Sequence, residues 1–456
     1  MTRLDELRRD YPVFRYERFE IQKSAARVTI RFHFSIPPDI SFTPEVHFEA
    51  VKDAWHHVPE EFLNSAVFHL GMVEALSYWK ATASAKIEIL AGPLSEEQVQ
   101  WWEDLLIHGM GEFFYRNDID FTPKDFVTIR PASTVLKEAY SGTLPQRSLL
   151  TIGGGRDSGL AAGLLRKSGQ AFTCMMLNPP PAALKIAAYA TPANPVIIHR
   201  AICPELLELN RRGFLNGHTP FSAYLAFLGV VGMLLYGYSS VIVANERSSD
   251  EGNIHYRGRD INHQYSKSFR FERLFDEYLQ KYLVARGRYF SYMRPLYELQ
   301  IGRLFSNFPA LFGIFKSCNR TRSESWCGQC PKCLSVFLTM YPFVPRSVLL
   351  GIFGNDPLER DENIAILREL AGFEVKPFEC VATTAEIIAA LALAVSKARK
   401  DGQPLPRLLE WAAKNVTGAE DTSRARPILE SFGPHRIPQE LESFLINALN
   451  KSPRSA

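Results

Sequence analysis

Two groups of residues in this sequence have the types and spacing for chemistry: the run Leu149-Leu150-Thr151-Ile152-Gly153-Gly154-Gly155-Arg156-Asp157-Ser158, and the cysteines Cys318, Cys327, Cys330 and Cys333. In the first, three glycines remove the side chains that block close approach, so successive backbone N–H groups can converge on anionic oxygens. An apolar helix expected from Gly159 to Leu165 adds its positive end. Arg156 is expected to neutralise phosphate, and Asp157 to hold Mg²⁺ bridging the phosphates. The anion that uses all of these groups is a triphosphate. A plain glycine turn capped by Asp157 or Ser158 is the competing reading, but the order strand, glycine turn, Asp-Ser cap, apolar helix is what an anion site requires. The run is neither a Walker A loop, which needs Gly-Lys-Ser/Thr, nor a GxGxxG dinucleotide turn.

The four cysteines are spaced C-x8-C-x2-C-x2-C. In a reducing compartment such crowding suits tetrahedral Zn²⁺ better than disulfides, with reduced thiols, a redox pair or an iron–sulfur cluster as alternatives. Four protein ligands would close the coordination shell, so a zinc ion here is expected to be structural. Cys174, Cys203 and Cys380 are scattered and read as small core residues. Two polar stretches beside apolar neighbours, Asn245 to Asn253 and Asn262 to Ser268, are candidate substrate loops.

These groups need a scaffold. Alternation from Val28 to Ile36 predicts a half-buried strand ended by Pro37-Pro38, and further strands are expected at Glu45–Ala50 and Lys86–Leu90. Helices are expected over Phe62–Ala81 and over Ser95–Tyr115, the latter capped by Ser95. These make residues 1–145 an α+β domain. In residues 146–345, short apolar strands at Ala171–Leu177, Val196–His199 and Val241–Ala244 alternate with helices, which predicts an α/β fold, a parallel sheet with helices on both faces. Ligands of such sheets bind beyond the carboxyl ends of the strands. Residues 346–456 read as mainly helical, clearest at Thr384–Lys400 and Pro406–Asn415, with a mobile tail from Asn450.

The length of 456 residues and 46% hydrophobic content allow two or three domains with real cores. A net charge of +3 implies no large nucleic-acid surface. The charged start lacks a secretory signal, which predicts a cytoplasmic protein. Pro220 to Ala244 carries no charge, yet Gly237-Tyr238-Ser239-Ser240 interrupts it, so it reads as a buried helix and strand rather than a membrane span.

The glycine loop resembles the SGGxDS loop of the PP-loop ATP pyrophosphatases, with Gly153 in place of the first Ser. The cysteine spacing is similar to the zinc site of the PP-loop family that makes 7-cyano-7-deazaguanine. A longer combination is more specific. Asn216-Gly217-His218, Asn245-Glu246-Arg247-Ser248-x-x-Glu251-Gly252-Asn253, Asn262-His263-Gln264-x-Ser266-Lys267-Ser268, Ser317-Cys318-Asn319-Arg320, Trp326-Cys327-Gly328-x-Cys330-Pro331-Lys332-Cys333 and Lys376-Pro377-Phe378-Glu379-Cys380 together resemble the bacterial UDP-N-acetylmuramoyl-L-alanyl-L-glutamate epimerases. The likeness runs from about Phe62 to Val381, with Arg156 where members of that family have Lys.

That resemblance implies inversion of the terminal glutamate of a nucleotide-sugar peptide in peptidoglycan precursor synthesis, using ATP and Mg²⁺ and releasing AMP and diphosphate. It implies that Gly153, Gly154, Gly155, Arg156, Asp157, Ser158, Asn245 and Glu246 bind the nucleotide. Arg156, Asp157 and His263 are the expected catalytic residues, His263 as a proton carrier. Arg247, Glu251, Asn262, Lys267 and Arg320 are expected to bind substrate. Two other readings stay open: an adenylating enzyme acting on a nucleobase or amide, and a zinc-stabilised protein that binds nucleotide without turnover.

Overall fold

A computed structural model describes residues 2–51, 55–135, 138–321 and 325–452. Its strands are β1 (Val13–Lys23), β2 (Arg27–Ile36), β3 (Ile40–Phe42), β4 (Glu45–Glu49), β5 (Lys86–Ile89), β6 (Thr128–Pro131), β7 (Ser148–Thr151), β8 (Phe172–Leu177), β9 (Val196–Ala201), β10 (Ser240–Val243), β11 (Ile254–Tyr256), β12 (Arg259–Ile261) and β13 (Arg288–Ser291). Among the described residues, β11 and β12 form a separate hairpin and the other eleven form one sheet, ordered β13-β10-β7-β8-β9-β4-β2-β1-β5-β6 with β3 beside β2. Pairing is parallel from β13 to β9 and from β1 to β6. It is antiparallel across β9-β4-β2-β1.

The division expected near residue 145 therefore falls inside one continuous sheet. The seam is the β4–β9 ladder, where Phe48 faces Ile198 and Val46 faces Arg200. The helix Glu60–Trp79 reinforces it: buried Glu74 takes two hydrogen bonds of 2.9 Å from the Arg200 guanidinium, which is itself only 11% exposed.

Short parallel strands buried on both faces alternate between two cores. Leu149, Met175, Val241 and Tyr289 point into one, with the helices Glu60–Trp79 and Phe221–Tyr236. Leu150, Met176, Ile242 and Phe290 point into the other, with the helices Arg156–Ser168 and Pro331–Met340 and the C-terminal helical region. The uncharged stretch after Pro220 is that buried helix and β10, and no described helix is long and apolar enough to cross a membrane. The helix expected over Ser95–Tyr115 carries its Ser95 capping box but breaks at Met110 into Glu96–Gly109 and Gly111–Arg116. At the C-terminus, Thr384–Lys400 and Arg407–Asn415 are helices. The tail differs from expectation: Asn450 closes the helix Gln439–Asn450, and buried Ser452 accepts a hydrogen bond from Asn307. Residues 453–456 of that tail lie outside the described residues.

The path leaves β7 outward to β8 and β9, then returns to the other side of β7 as β10. Adjacent strands whose connections run in opposite directions leave a crevice at their carboxyl ends. Replacing Glu74 by Ala should strand the Arg200 charge and cost about 3 kcal/mol. The check is a urea titration in which the first transition moves to lower concentration, while Glu60→Ala at the exposed start of the same helix leaves it in place.

Candidate active site

The crevice between β7 and β10 opens into a cavity of about 580 Å³. Its walls come from Gly153, Gly155 and Asp157 after β7, Glu246 after β10, Lys267, the segment Gly313 to Asn319, Lys332 and Cys380. Gly154 makes the turn at φ +92°, and a Cβ there would come within 2.9 Å of the Ala183 nitrogen. Gly155, in extended conformation, is the N-cap of the helix Arg156–Ser168 and makes no side-chain cap bond. Neither Asp157 nor Ser158 caps this helix, because both lie in its first turn; the Ser158 hydroxyl donates back to the Gly155 carbonyl at 3.2 Å. Helix N–H groups thus start beside a cavity edge that lacks side chains, the geometry an anion needs.

Arg156 differs from expectation. It is 1% exposed and absent from the cavity wall. Its guanidinium donates to Asp157 at 2.9 Å, Thr339 at 2.8 Å and the fully buried Glu298 at 2.9 Å. Glu298 also takes the ammonium of Lys332 at 2.9 Å. Burial alone would raise the Glu298 pKa, but Lys332 and Arg156 outweigh it and hold the carboxylate ionised, well below its usual range. Arg156 thereby fixes Asp157, while Lys332 supplies positive charge at the cavity.

Glu246 is 3% exposed, and burial, followed by the Asp157 charge, pushes its pKa up to about 7. Its backbone carbonyl is held by Arg294 at 2.7 Å and Ser249 at 2.6 Å. Lys267 donates to the Cys380 sulfur at 3.0 Å. Burial works against the Lys267 ammonium, yet Cys380 and Glu246 outweigh that and raise its pKa. Cys380, expected in the core, is half-buried on the cavity wall.

Several expected site residues lie elsewhere. His263 is absent from the cavity wall; its Nδ1 sits 2.9 Å from Asn253 Oδ1, and its ring is 6.0 Å from that of His218. Burial, despite Glu112 and with help from Lys267 and Lys376, lowers its pKa to about 3, so it stays neutral. Asn262 bonds the Ser249 carbonyl, and Glu251 pairs with Lys376. Arg247 lies over the Tyr297 ring at 4.5 Å, and Arg320 is exposed. Asn245 uses its carbonyl to accept from Ser291. Ser317, Asn319 and Lys332 were legible only as neighbours of the cysteines, and nothing in the sequence marks Glu298.

The cysteines converge. The sulfurs of Cys318, Cys327, Cys330 and Cys333 all lie within 4.8 Å of one another, with Cys327 and Cys333 at 3.7 Å. A tetrahedron with Zn–S bonds of about 2.3 Å has edges of about 3.8 Å, so the set fits a structural zinc ion. Gly328 turns between the first pair at φ +65°, where a Cβ would overlap the Asn355 side chain. Cys330 caps the helix Pro331–Met340 through its sulfur, which accepts from the Cys333 N–H, two residues before Lys332.

Known proteins resemble this chain over most of its length. The sequence profile of the MurL N-terminal domain matches residues 5–292, spanning both halves of the sheet, and that of the MurL C-terminal domain matches residues 314–424. A protein of Xanthomonas oryzae pv. oryzae named UDP-N-acetyl-alpha-D-muramoyl-L-alanyl-L-glutamate epimerase is 31% identical over 437 residues, covering 94% of this chain and 95% of its own. Proteins of the same name from a Micromonospora species and from Salinispora tropica are 33% and 31% identical, covering 81% and 84% of this chain and 83% and 84% of their own. This chain belongs to the MurL family.

Proposed function

We propose that this protein is an ATP-dependent epimerase that inverts the terminal L-glutamate of UDP-N-acetylmuramoyl-L-alanyl-L-glutamate to D-glutamate, forming AMP and diphosphate. The observation that carries the reading is the side-chain-free turn of Gly153 to Gly155 opening on a cavity with Asp157 and two buried-pair lysines, in a chain whose relatives bear the epimerase name. In this reading the half of the sheet from β13 to β9 is a PP-loop ATP pyrophosphatase type of nucleotide site, and the protein works in the cytoplasm, where ATP and nucleotide sugars are available.

The chemistry explains the nucleotide. Removing a proton next to a free carboxylate builds a second negative charge beside the first, so the transition state is poorly stabilised in any site. ATP supplies the remedy by masking that carboxylate as a mixed anhydride. The protein's own groups do the rest. The glycine turn and helix start from Gly153 to Ser158 would offer N–H groups to phosphate oxygens, the Arg156 N–H being already taken by Ser317 Oγ, and Asp157, oriented by Arg156, would hold Mg²⁺. Lys332, held on Glu298, and Lys267 offset the remaining negative charge. Arg156 acts through Asp157 rather than on phosphate. The cysteine cluster, loaded with zinc, holds Ser317, Asn319 and Lys332 against the cavity.

Incubation with ATP, Mg²⁺ and the L-alanyl-L-glutamate precursor should give AMP and the D-epimer, read by chiral chromatography after hydrolysis; AMP without inversion would point to another acceptor. Asp157→Ala should lower AMP formation about 100-fold or more, and full turnover by that variant would remove Asp157 from the mechanism. Metal analysis of the purified protein should find one zinc per chain. Cys330→Ser should lose it and weaken ATP binding in calorimetry, whereas unchanged binding would separate the metal from the nucleotide wall.

A further inference from the structure

One pair of cavity groups is joined directly to each other. Lys267 Nζ donates to Cys380 Sγ at 3.0 Å, and both line the cavity. Each is rigidly mounted. The Lys267 carbonyl accepts from Ser249 Oγ at 3.0 Å and from Arg294, itself clamped on Glu272 at 2.8 Å. Cys380 follows Glu379, whose carboxylate takes Asn319 at 3.1 Å and the Lys332 backbone N–H at 3.2 Å; two residues on, the Ala382 N–H bonds Ser335. A cationic partner favours thiolate, the reactive form of cysteine.

A second observation points at the same space. The Glu246 side chain is almost wholly buried, reaches the cavity wall, and has no hydrogen-bond partner among the described residues. A buried carboxyl without a partner is costly unless a ligand or a proton satisfies it. The other acids here are engaged: Asp157 by Arg156, and Glu298 by Arg156 and Lys332.

We infer that Cys380 and Glu246 are the two proton carriers at the α-carbon, with Lys267 positioning the Cys380 thiolate. The inference rests on the epimerase reading above. In one direction the Cys380 thiolate takes the α-proton: the C–H bond breaks, an S–H bond forms, and the electron pair moves into the enolate of the activated glutamate. The Glu246 carboxylic acid then gives its proton to the opposite face, and the pair returns to a new C–H bond. The enzyme is left with thiol and carboxylate, which exchange protons with water before the next cycle. In the reverse direction the two exchange roles. His263, neutral and outside the cavity, is not needed.

The test uses the full-length protein with ATP, Mg²⁺ and each epimer of the precursor in deuterium oxide. Wild-type protein must first interconvert the epimers; if it does not, the epimerase reading fails and this inference with it. Given that activity, Cys380→Ala and Glu246→Gln should each slow epimerisation about 100-fold or more. Substrate-dependent pyrophosphate exchange, which reports the adenylating half-reaction, should persist. Each variant should wash deuterium into the α-position of one epimer without inverting it, and the epimer should differ between the two. A merely structural role would not produce that complementary pattern. Wild-type epimerisation by Cys380→Ala, or exchange of both epimers or of neither by both variants, overturns the assignment. If pyrophosphate exchange is lost in Cys380→Ala, Cys380→Ser is measured, and its loss there too assigns Cys380 to the nucleotide site instead.

Discussion

The buried carboxylate of Glu298 is the contact on which the site depends. It receives Arg156 from the glycine-loop helix and Lys332 from the helix that begins in the cysteine cluster, while its own backbone N–H bonds the Ser248 hydroxyl after β10. A carboxylate this deep is tolerable only with both cations present, because losing either leaves an uncompensated charge at a cost of several kcal/mol. Three segments far apart in sequence are thus held at one point. Ser248 in turn donates to buried Glu386, the capping-box partner of Thr383 at the start of the long C-terminal helix, so that helix is tied to the same network.

From that point the cavity can be understood as an electrostatic arrangement. Arg156 holds Asp157 at the cavity wall, Lys332 brings a positive charge to that wall, and the glycine turn contributes N–H groups without side chains. Glu246 forms no ion pair among the described residues, and burial with the nearby Asp157 charge raises its pKa despite Lys267 and Lys332. Committed ion pairs surround one uncommitted acid, an arrangement that separates groups that hold charge from groups that move protons.

How much of this the sequence revealed follows from the range of the interactions. Strands β2, β8, β9 and β10 were legible because alternation or a short apolar run is a local signal. The glycine turn and the cysteine spacing were legible because each packs its chemistry into a few consecutive residues. Arg156 misled because a guanidinium beside glycines suits phosphate, whereas its direction is set by Glu298, 142 residues away. The same holds for Cys380, whose partner Lys267 is 113 residues distant. The long β1 was missed because charged residues interrupt its alternation, and β13 because four residues carry too little pattern. A boundary near 145 was expected because alternating strands and helices begin after it; the pairing of β4 with β9 shows the sheet running through it.

That pairing has a mechanical consequence. Rocking the N-terminal part against the part that carries the glycine turn would tear a ladder of hydrogen bonds in the middle of a sheet and pull Arg200 off Glu74. The two parts therefore cannot act as jaws. The cavity walls at Gly313–Asn319 and Cys380 share that stiffness, because the two stretches are pinned to each other through Asn319 and Glu379.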